Sequence, residues 1–532
     1  MNRRFTALVA AAALWIAACS GGGSTITPPP PTGKYGPSSL NGTYAFVTSG
    51  EAIASGATSA TPFSRTGSFT ANGSGVIQGG VYDLVDAGGT STTSSAPNPI
   101  MGGSYTVSAD GRGTLTFNVT SNGAPATINF AIVLTSTSGG FMMDETASGN
   151  QASTGSGNFV LQNSAAFASG VSGSYVFDFT GLDGTQPPGG PNPESLVGRF
   201  TASGGVITSG LEDANDNGSL TSSASITGNF VADPANTTAG RGTATIEGQT
   251  YAFYIVDSSR VRFISINSAT TGPMLTGDAV AQSGGTPPPA PSGSFAFLVS
   301  GASANGGLTR VGRLSVSGSS LSNIIMDVNN GGSQTEFGSG SLSMGTIGYD
   351  PTTGRGTLSF QSSSVNVYSF VFYLSSPSSG VMQEVSGAPA SGLAAVVADG
   401  SLAAQSGSPF SSSNISGPYA MSWSGLVTSG GSFAAQDEED LLAQATISNL
   451  NLSGTSDIFQ FTGVTLNTDV GTSGQITLNG DGTSNNMMNV NLSGVAPIHM
   501  AVYIVNPQLA FFANRDNNGA MRIVAGVLEA QQ

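Results

Sequence analysis

The residue types that carry out most catalytic chemistry are nearly absent from this chain. Its 532 residues include a single His (His499), a single Lys (Lys34) and a single Cys (Cys19). A His-cluster zinc site and a disulfide framework each need more of these residues than the chain contains. With one His, a Ser–His triad would require the part of the chain around His499 alone to be catalytic. In three other segments of similar sequence the position of His499 holds Asn, Thr or Ser, which indicates a polar strand position. We therefore predict that the protein is not an enzyme.

Carboxylates are the next candidates for chemistry, because a pair of them can hydrolyse a glycosidic bond. The densest acidic run is Asp437-Glu438-Glu439-Asp440, and it occurs once in the chain. The stretch from Asp437 to Ala445 is also the one place where a helix is indicated. We expect this run to form a solvated face and not a catalytic dyad.

A calcium site is indicated by one segment, Asp213-Ala214-Asn215-Asp216-Asn217-Gly218. It matches the first half of a calcium-binding loop, in which Asp213, Asn215 and Asn217 would supply oxygen ligands. The twelfth position of such a loop supplies a bidentate carboxylate, but here it is Ala224. Turns in which Asp and Asn bond to their own backbone have the same composition. Calcium and a purely structural turn stay as alternatives, and no other cofactor is indicated.

A Gly-Arg-Gly-Thr motif occurs three times and contains Arg112, Arg241 and Arg355. An arginine at the open end of a β-module would bind an anion, because the guanidinium fork matches carboxylate and phosphate groups. Alternatively the motif is a hairpin in which Gly adopts positive φ and the Arg pairs with a nearby acid such as Asp110. The matching place in the last part of the chain is 471–474 and has no Arg, which favours a structural role.

These motifs lie in a sequence that repeats four times. Each unit opens on Gly-x-aromatic and closes on a Gln after a short apolar strand, and the opening aromatic residues are 131, 120 and 124 residues apart. A period this long exceeds that of solenoid repeats, so each unit should have its own core. We predict four modules, joined by Pro/Ser/Gly-rich segments that few contacts should cross, at residues 40–163, 171–283, 291–406 and 415–532.

Within a unit the patterns are those of short β-strands. Residues 113–119 alternate so that Leu115, Phe117 and Val119 share one face. Turn sequences separate eight such segments, and tight hairpins between eight strands predict an antiparallel up-and-down barrel, because closure removes exposed edges. The alternative is an immunoglobulin-like β-sandwich of about seven strands. The eight segments in the first unit are Thr43–Thr48, Gly67–Thr70, Val76–Leu84, Ser104–Val107, Gly113–Val119, Thr127–Thr135, Phe141–Asp144 and Asn158–Gln162.

The Gly-x-aromatic openings resemble the Gly-x-Trp that begins lipocalin- and avidin-like barrels, where the ring plugs the barrel floor. No unit has Trp at this place; the aromatic residues are Tyr44, Tyr175, Phe295 and Tyr419. The resemblance implies small closed barrels. It also implies an alternative function, the carriage of a small apolar ligand in a cavity lined by Phe46, Phe117 and Phe130 or their counterparts.

The N-terminus has the features of a secretory signal, since Arg3 and Arg4 precede an apolar run that ends at Ala18. The sequence Ile16-Ala17-Ala18-Cys19 resembles the lipobox of bacterial lipoproteins, in which cleavage leaves a lipidated Cys as the new N-terminus. The resemblance implies a signal peptide at residues 1–18, acylation (palmitate) of Cys19, and a location in the cell envelope, at the outer membrane. Residues 19–39 would then be a Gly/Ser/Pro spacer.

The composition limits the partners of such a protein. Charged residues make up 8% of the chain and the net charge is −16, which excludes nucleic acid, because neutralising phosphates needs clustered Lys and Arg. Charge-poor strands rich in Ser and Thr favour many weak contacts with a polysaccharide or a surface protein, and four copies would convert these to avidity. We therefore predict a membrane-tethered protein for display, adhesion or binding, like the tandem-repeat surface lipoproteins that it resembles.

Overall fold

The structure is a computed structural model, and almost all of the residues that it describes are in β-strands or the turns between them. Cys19, the signal sequence and most of the spacer lie outside these residues. The described ranges are 33–53, 60–86, 96–121, 123–148, 151–184, 192–267, 272–363, 366–386, 396–428, 437–461, 465–479, 486–492, 496–515 and 521–532. No helix in these ranges has the length and apolar character needed to cross a membrane.

The strands form four closed eight-stranded antiparallel barrels, numbered barrel 1 to barrel 4 along the chain. The predicted all-β fold of tandem barrels is therefore confirmed, and the immunoglobulin-like alternative is wrong. All eight strands predicted in the first unit are present, most of them longer than the pattern indicated, because the hairpins extend beyond the alternating segments.

The strand bounds follow the repeat closely. Barrel 1 contains β1 (Asn41–Ile53), β2 (Thr61–Asn72), β3 (Val76–Asp86), β4 (Asn98–Ile100), β5 (Gly103–Tyr105), β6 (Arg112–Ser121), β7 (Ala124–Ser136), β8 (Gly139–Ser148) and β9 (Gln151–Leu161). Barrel 2 contains β10 (Gly173–Leu182), β11 (Pro193–Ser203), β12 (Val206–Asp216), β13 (Ser219–Ser225), β14 (Gly228–Ala232), β15 (Arg241–Ile246), β16 (Gln249–Asp257), β17 (Arg260–Ser265) and β18 (Met274–Ala281).

The second half of the chain repeats this arrangement. Barrel 3 contains β19 (Gly293–Ser303), β20 (Gly306–Ser317), β21 (Ser320–Asn330), β22 (Ser333–Phe337), β23 (Ser343–Tyr349), β24 (Arg355–Gln361), β25 (Val367–Ser376), β26 (Ser379–Glu384) and β27 (Val396–Ala404). Barrel 4 contains β28 (Gly417–Thr428), β29 (Glu438–Ser448), β30 (Asn451–Gln460), β31 (Thr465–Thr477), β32 (Asn486–Leu492), β33 (Ile498–Asn506), β34 (Leu509–Asn514) and β35 (Met521–Ala530). Three short 3₁₀ helices complete the elements, Pro37–Ser39, Ser164–Ser169 and Thr237–Ala239.

Each barrel closes because its first strand pairs with both its second and its last. In barrel 1, Tyr44 on β1 lies opposite Phe69 on β2 and Leu161 on β9. The first three barrels carry one additional strand, β4, β13 or β22, which pairs with the third strand beside the barrel wall. Barrel 4 has eight strands without this addition.

The opening aromatic residues of the repeat are buried at one end of each barrel. The hydroxyl of Tyr44 donates to the carbonyl oxygen of Thr137 at 3.2 Å, in the turn between β7 and β8. The Tyr419 hydroxyl donates to the equivalent turn of barrel 4, at the carbonyl oxygen of Pro507 (2.7 Å). A buried hydroxyl needs such a partner. The aromatic side chain therefore closes the end of the barrel while its hydroxyl binds a backbone carbonyl of the turn.

The segment from Asp437 to Ala445 is not a helix, and that prediction is wrong. It forms most of β29, which pairs with β28 and β30 over its full length. Strand pairing on both sides outweighs the weak helical preference of the isolated segment.

The four barrels form a closed ring. The first two strands of each barrel pack on the last three strands of the next, and barrel 4 returns to barrel 1 through β28 and β29 against β7, β8 and β9. Head-to-tail contacts of this kind generate a ring when the rotation between neighbours closes. The prediction of a string with few contacts across its joints is therefore wrong.

Apolar side chains on the outer barrel walls explain why the ring forms. Val85 of barrel 1 packs with Ile264 of barrel 2, and Val197 of barrel 2 packs with Val371 of barrel 3. A larger cluster joins barrel 4 to both barrels 1 and 3; its members include Val133, Phe141, Leu298, Leu442, Phe459 and Phe511. Burial of these outward-facing side chains favours association. The alternating pattern had assigned only the inner faces to a core.

The closing Gln of each repeat bonds to the following barrel. Its side-chain Nε2 donates to backbone carbonyl oxygens there, and the last of the four, Gln531, donates to Asp110 and Leu134 of barrel 1, both at 2.8 Å. The C-terminal residue Gln532 accepts a hydrogen bond from the Tyr35 hydroxyl at 2.8 Å. The two ends of the described chain thus meet at the junction of barrels 4 and 1. The other Gln contacts are Gln162 with Ala239 and Ile255, Gln282 with Leu374, and Gln405 with Ile504.

Candidate functional site at the barrel junctions and interiors

Two arginines of the Gly-Arg-Gly-Thr motifs bind a carboxylate of the preceding barrel. Arg241 Nε and Nη2 each donate to Asp83 at 2.8 Å, and Arg355 Nε and Nη2 donate to Asp213 at 2.8 and 2.6 Å. Asp83 and Asp213 occupy the same place on the third strands β3 and β12. Bidentate pairs of this kind fix geometry as well as adding energy, so these guanidinium groups hold adjacent barrels in register.

Tyrosine hydroxyls complete the same junctions. Tyr254 donates to Asp83 and Tyr373 donates to Asp213, both at 2.6 Å. Burial lowers the pKa of Arg241, but its hydrogen bonds with Asp83 and the charge of that carboxylate outweigh burial and raise it. The guanidinium therefore stays charged against its buried partner.

The other two junctions use the same carboxylate position, one with Arg515 and the other with the third motif arginine, Arg112. Between barrels 3 and 4, the Tyr503 hydroxyl donates to Asp327 at 2.6 Å, and Arg515 Nε lies 3.5 Å from the same carboxylate. Between barrels 4 and 1, Arg112 donates to Asp469 at 2.8 Å and lies 3.8 Å from Asp457. Arg112 also lies 3.3 Å from Asp110, the neighbour considered in the sequence.

The segment that resembles a calcium loop lies in the junction of barrels 2 and 3. The Asp213 carboxylate accepts from Arg355 and Tyr373, whereas Asn215 Nδ2 donates to the carbonyl oxygens of Glu384 (3.2 Å) and Val396 (2.7 Å) of barrel 3. Asn217 has positive φ (49°) in the following turn. In the described ranges, no group of three His, Cys, Asp or Glu side chains is placed to hold a metal. Calcium binding at these residues stays a prediction.

The acidic run of β29 is buried, so the prediction of a solvated face is wrong. Glu438, Glu439 and Asp440 each have an exposed fraction of 0%. Alternation along the strand explains their different surroundings, because Glu439 points into barrel 4 whereas the residues on either side face barrel 1. The Asp440 carboxylate accepts from Thr154 at 2.7 Å and from Ser156 at 2.5 Å.

Burial controls the ionisation of this run. Burial raises the pKa of Asp440 to about 6, although the hydrogen bonds donated by the hydroxyls of Ser156 and Thr154 lower it. Burial raises the pKa of Glu438 well above its usual value, and the charges of Asp440 and of Glu51 in barrel 1 add to the effect. Proton uptake is therefore the chemistry that the junction of barrels 4 and 1 can perform.

The interior of barrel 1 is filled with aromatic side chains. The ring centroids of Phe46 and Phe117 are 5.4 Å apart, and those of Phe117 and Phe130 are 5.3 Å apart. These are contact distances between aromatic rings. The three residues expected to line a ligand cavity thus pack on one another.

His499 lies on β33 opposite Asn489 of β32 and is partly exposed. Its place is the polar strand position that the sequence indicated.

Comparisons with known proteins give only distant likenesses. No family model matches the chain, and no curated protein matches it. Among solved structures, a mutant of transferrin binding protein B from Haemophilus parasuis is similar at 10% identity, with 74% of this chain and 82% of that chain covered and a TM-score of 0.19. An AttH protein from Nitrosomonas europaea is similar at 9% identity, with 68% and 92% covered and a TM-score of 0.17. Transferrin binding protein B from Neisseria meningitidis has 10% identity, 74% and 84% coverage and a TM-score of 0.17. Scores this low carry no argument about this chain.

Proposed function

We propose that this is a non-enzymatic, lipid-anchored envelope protein whose ring of barrels presents repeated strand faces to a polysaccharide or a surface protein. The ring supports this proposal because it holds four similar modules in fixed relative positions. Repeated weak contacts by rigidly placed modules give avidity without a deep pocket. The outer membrane anchor rests on the lipobox-like residues up to Cys19.

The observation that carries the binding role is the position of the exposed apolar side chains. Three large apolar side chains are more than half exposed: Met101 (58%), Val231 (55%) and Met344 (74%). They lie on or beside β5, β14 and β23, which are the fourth strands of three successive barrel walls when the additional strands β4, β13 and β22 are not counted. The main ring contacts instead use the first two and last three strands of each barrel. These side chains lie outside the ring contacts and are therefore accessible to a partner.

The test is binding of the full chain to intact cells and to envelope polysaccharide by surface plasmon resonance. Replacing Met101, Val231 and Met344 with Glu, one at a time and together, is expected to weaken binding step by step, with the triple variant at least tenfold weaker. Thr208→Glu, on the neighbouring strand β12, is the matched control and should bind normally. Equal binding by the triple variant and the control would reject these faces as the binding surface.

The anchor has a separate test in the cells that make the protein. Cys19→Ala is expected to move the protein from the membrane fraction to the soluble fraction and to abolish labelling by radioactive palmitate. Labelling that persists in this variant would contradict the anchor and leave the binding role to be judged by its own experiment.

A further inference from the structure

Three of the four barrels contain an arginine that points inward and pairs with an interior carboxylate. In barrel 3, Arg310 Nε and Nη2 donate to Glu384 at 2.6 and 3.0 Å. In barrel 4, Arg522 Nε and Nη2 donate to Glu439 at 2.6 and 2.8 Å. In barrel 1, Arg65 pairs with Asp144. An interior carboxylate needs such a partner, because burying an unpaired charge is costly.

Among its described residues barrel 2 has two interior carboxylates and no inward-pointing arginine, and Ser265 stands at the place of Asp144 and Glu384. The opening Tyr pairs with Phe200 on β11 in barrel 2 and with Ala445 on β29 in barrel 4. Glu194 and Glu439 each lie six residues before that partner, so they occupy the same place. By the same registers, the place of Arg522 is Pro273 and that of Arg310 is Leu196. Glu212 on β12 lies opposite Gly198, and its side chain points to the same interior as that of Glu194.

None of the described arginines of barrel 2 takes the missing place. The four arginines of barrel 2 are on its outer wall: Arg241 binds Asp83 and Arg262 donates to Asn158, both in barrel 1. Arg260 lies 3.9 Å from Asp278, and the charge of Arg199 acts on Tyr349 of barrel 3. The segments 185–191 and 268–271, outside the described residues, contain no Lys or Arg.

A buried phenol distinguishes the same interior. Tyr251 is 2% exposed, and burial together with the charges of Glu212 and Glu194 raises the pKa of its hydroxyl well above the usual value. The corresponding residues of the other barrels are apolar: Phe130, Phe370 and Met500. The Tyr251 ring lies 5.4 Å from that of Phe179 and 6.4 Å from that of Phe263, within an aromatic interior.

We propose that the interior of barrel 2 binds a small organic cation, such as a polyamine or a guanidinium compound, through Glu194, Glu212 and the Tyr251 hydroxyl. The ligand's N–H groups would donate to the two carboxylates and the phenol oxygen, as charge-assisted hydrogen bonds. Aromatic faces attract a cation that has left water. Toward Glu194 the ligand takes the part that Arg522 plays toward Glu439 in barrel 4. This inference goes beyond the proposed surface binding and does not depend on it.

The surrounding charges make this site sensitive to pH. Burial raises the pKa of Glu194 to about 8, and the charges of Asp216, Asp183 and Glu212 add to this. Burial raises the pKa of Glu212 to about 7, with further contributions from Glu247 and Asp213. A bound cation favours the ionised carboxylates, so its affinity should increase as the pH rises from 6 to 8, with release of protons on binding.

The experiment is isothermal titration of the full chain with agmatine, which carries both an ammonium and a guanidinium group, at pH 6, 7 and 8. We expect binding that is at least tenfold tighter at pH 8 than at pH 6. Glu194→Gln and Glu212→Gln should each weaken it at least tenfold, and Tyr251→Phe, which copies Phe130 and Phe370, should weaken it with the fold unchanged. Asp257→Asn, at the turn between β16 and β17 where its carboxylate accepts from Ser259, is the control.

One variant tests the comparison between barrels directly. Leu196→Arg installs the arginine of barrels 1 and 3 at the same strand position, so it should abolish agmatine binding and raise the melting temperature. Absence of agmatine binding by the wild-type chain at pH 8 would overturn the proposal. Binding that survives the combined Glu194→Gln and Glu212→Gln substitutions, or that calcium matches and amines do not, would overturn it as well.

Discussion

Arg241 of barrel 2 binds both carboxylate oxygens of Asp83 of barrel 1, and both residues are buried where the two barrels meet. The same strand position supplies the acid at each of the four junctions, as Asp83, Asp213, Asp327 and Asp457. The repeats therefore share the geometry of their junctions as well as the fold of each module.

Breaking this pair should destabilise the ring strongly. Arg241→Ala leaves the Asp83 carboxylate buried without its cation, which typically costs about 3–5 kcal/mol. We expect a decrease of that size in the free energy of unfolding, measured by urea denaturation. Asp350→Asn, at an exposed turn, is the control and should leave the free energy of unfolding nearly unchanged. A loss below about 1 kcal/mol for Arg241→Ala would show that the junction contributes little.

Stability should fall as the pH rises from 5 to 8. Burial raises the pKa of Asp440 to about 6 and that of Glu529 to about 7. In the unfolded chain these groups ionise above about pH 4, whereas in the folded chain they stay protonated up to their raised pKa values. Between these two limits a rise in pH therefore favours the unfolded chain. We expect a decrease of at least about 1.4 kcal/mol, equivalent to one pKa unit at one group.

The measurement is urea unfolding at pH 5, 6, 7 and 8 in one buffer series. Asp440→Asn removes one of the titrating groups, so it should reduce the slope of stability against pH. Stability that increases over this range would contradict the expected sign.

The contact between barrels 4 and 1 should be the place where the ring opens most easily, because no short joint links these two barrels. Leu442 is fully buried in the apolar cluster that joins them. Leu442→Arg places a charge there, which is unfavourable without a partner. We expect a larger radius of gyration in small-angle X-ray scattering with unchanged β-sheet circular dichroism. An unchanged radius with intact folding would show that other contacts suffice to hold the ring.

The meeting of the two chain ends predicts that the ring tolerates a circular permutation. Tyr35 and Gln532 are hydrogen-bonded, so a short Gly/Ser linker can join the ends. New termini placed at Ser169, an exposed residue in the connection between barrels 1 and 2, should give a folded chain whose melting temperature is within a few degrees of the original. A permutant that fails to fold would mean that the order of barrel synthesis matters.

The sequence is sufficient to predict the barrels but not the ring. Alternation in segments such as 113–119 depends on nearest neighbours along the chain and identifies the strands. The closing glutamines and the repeated arginines are also visible as repeats. Their partners, however, lie in other modules, for example 158 residues away for Arg241 and Asp83, and a single sequence does not identify such pairs.

The acidic residues were the most misleading part of the sequence. Charge usually indicates solvent, so Glu438, Glu439 and Asp440 were expected at the surface. The run continues directly into Leu441 and Leu442, which lie on opposite faces of the strand. This was the available signal that both faces of the strand are buried. Glu194 and Glu212 carried a similar signal, since each alternates with outward-facing residues of its strand.

The ring also determines how the protein carries mechanical load. Under the proposed function, a tether that enters at Tyr35 would reach the opposite side of the ring by two routes, through barrel 2 and through barrel 4. Tension between the membrane and a partner held by barrel 3 would divide between two parallel arms, whereas a linear string would bear it on every joint in series. Opening one junction would then transfer the load to the other arm and would not by itself separate the partner from the anchor.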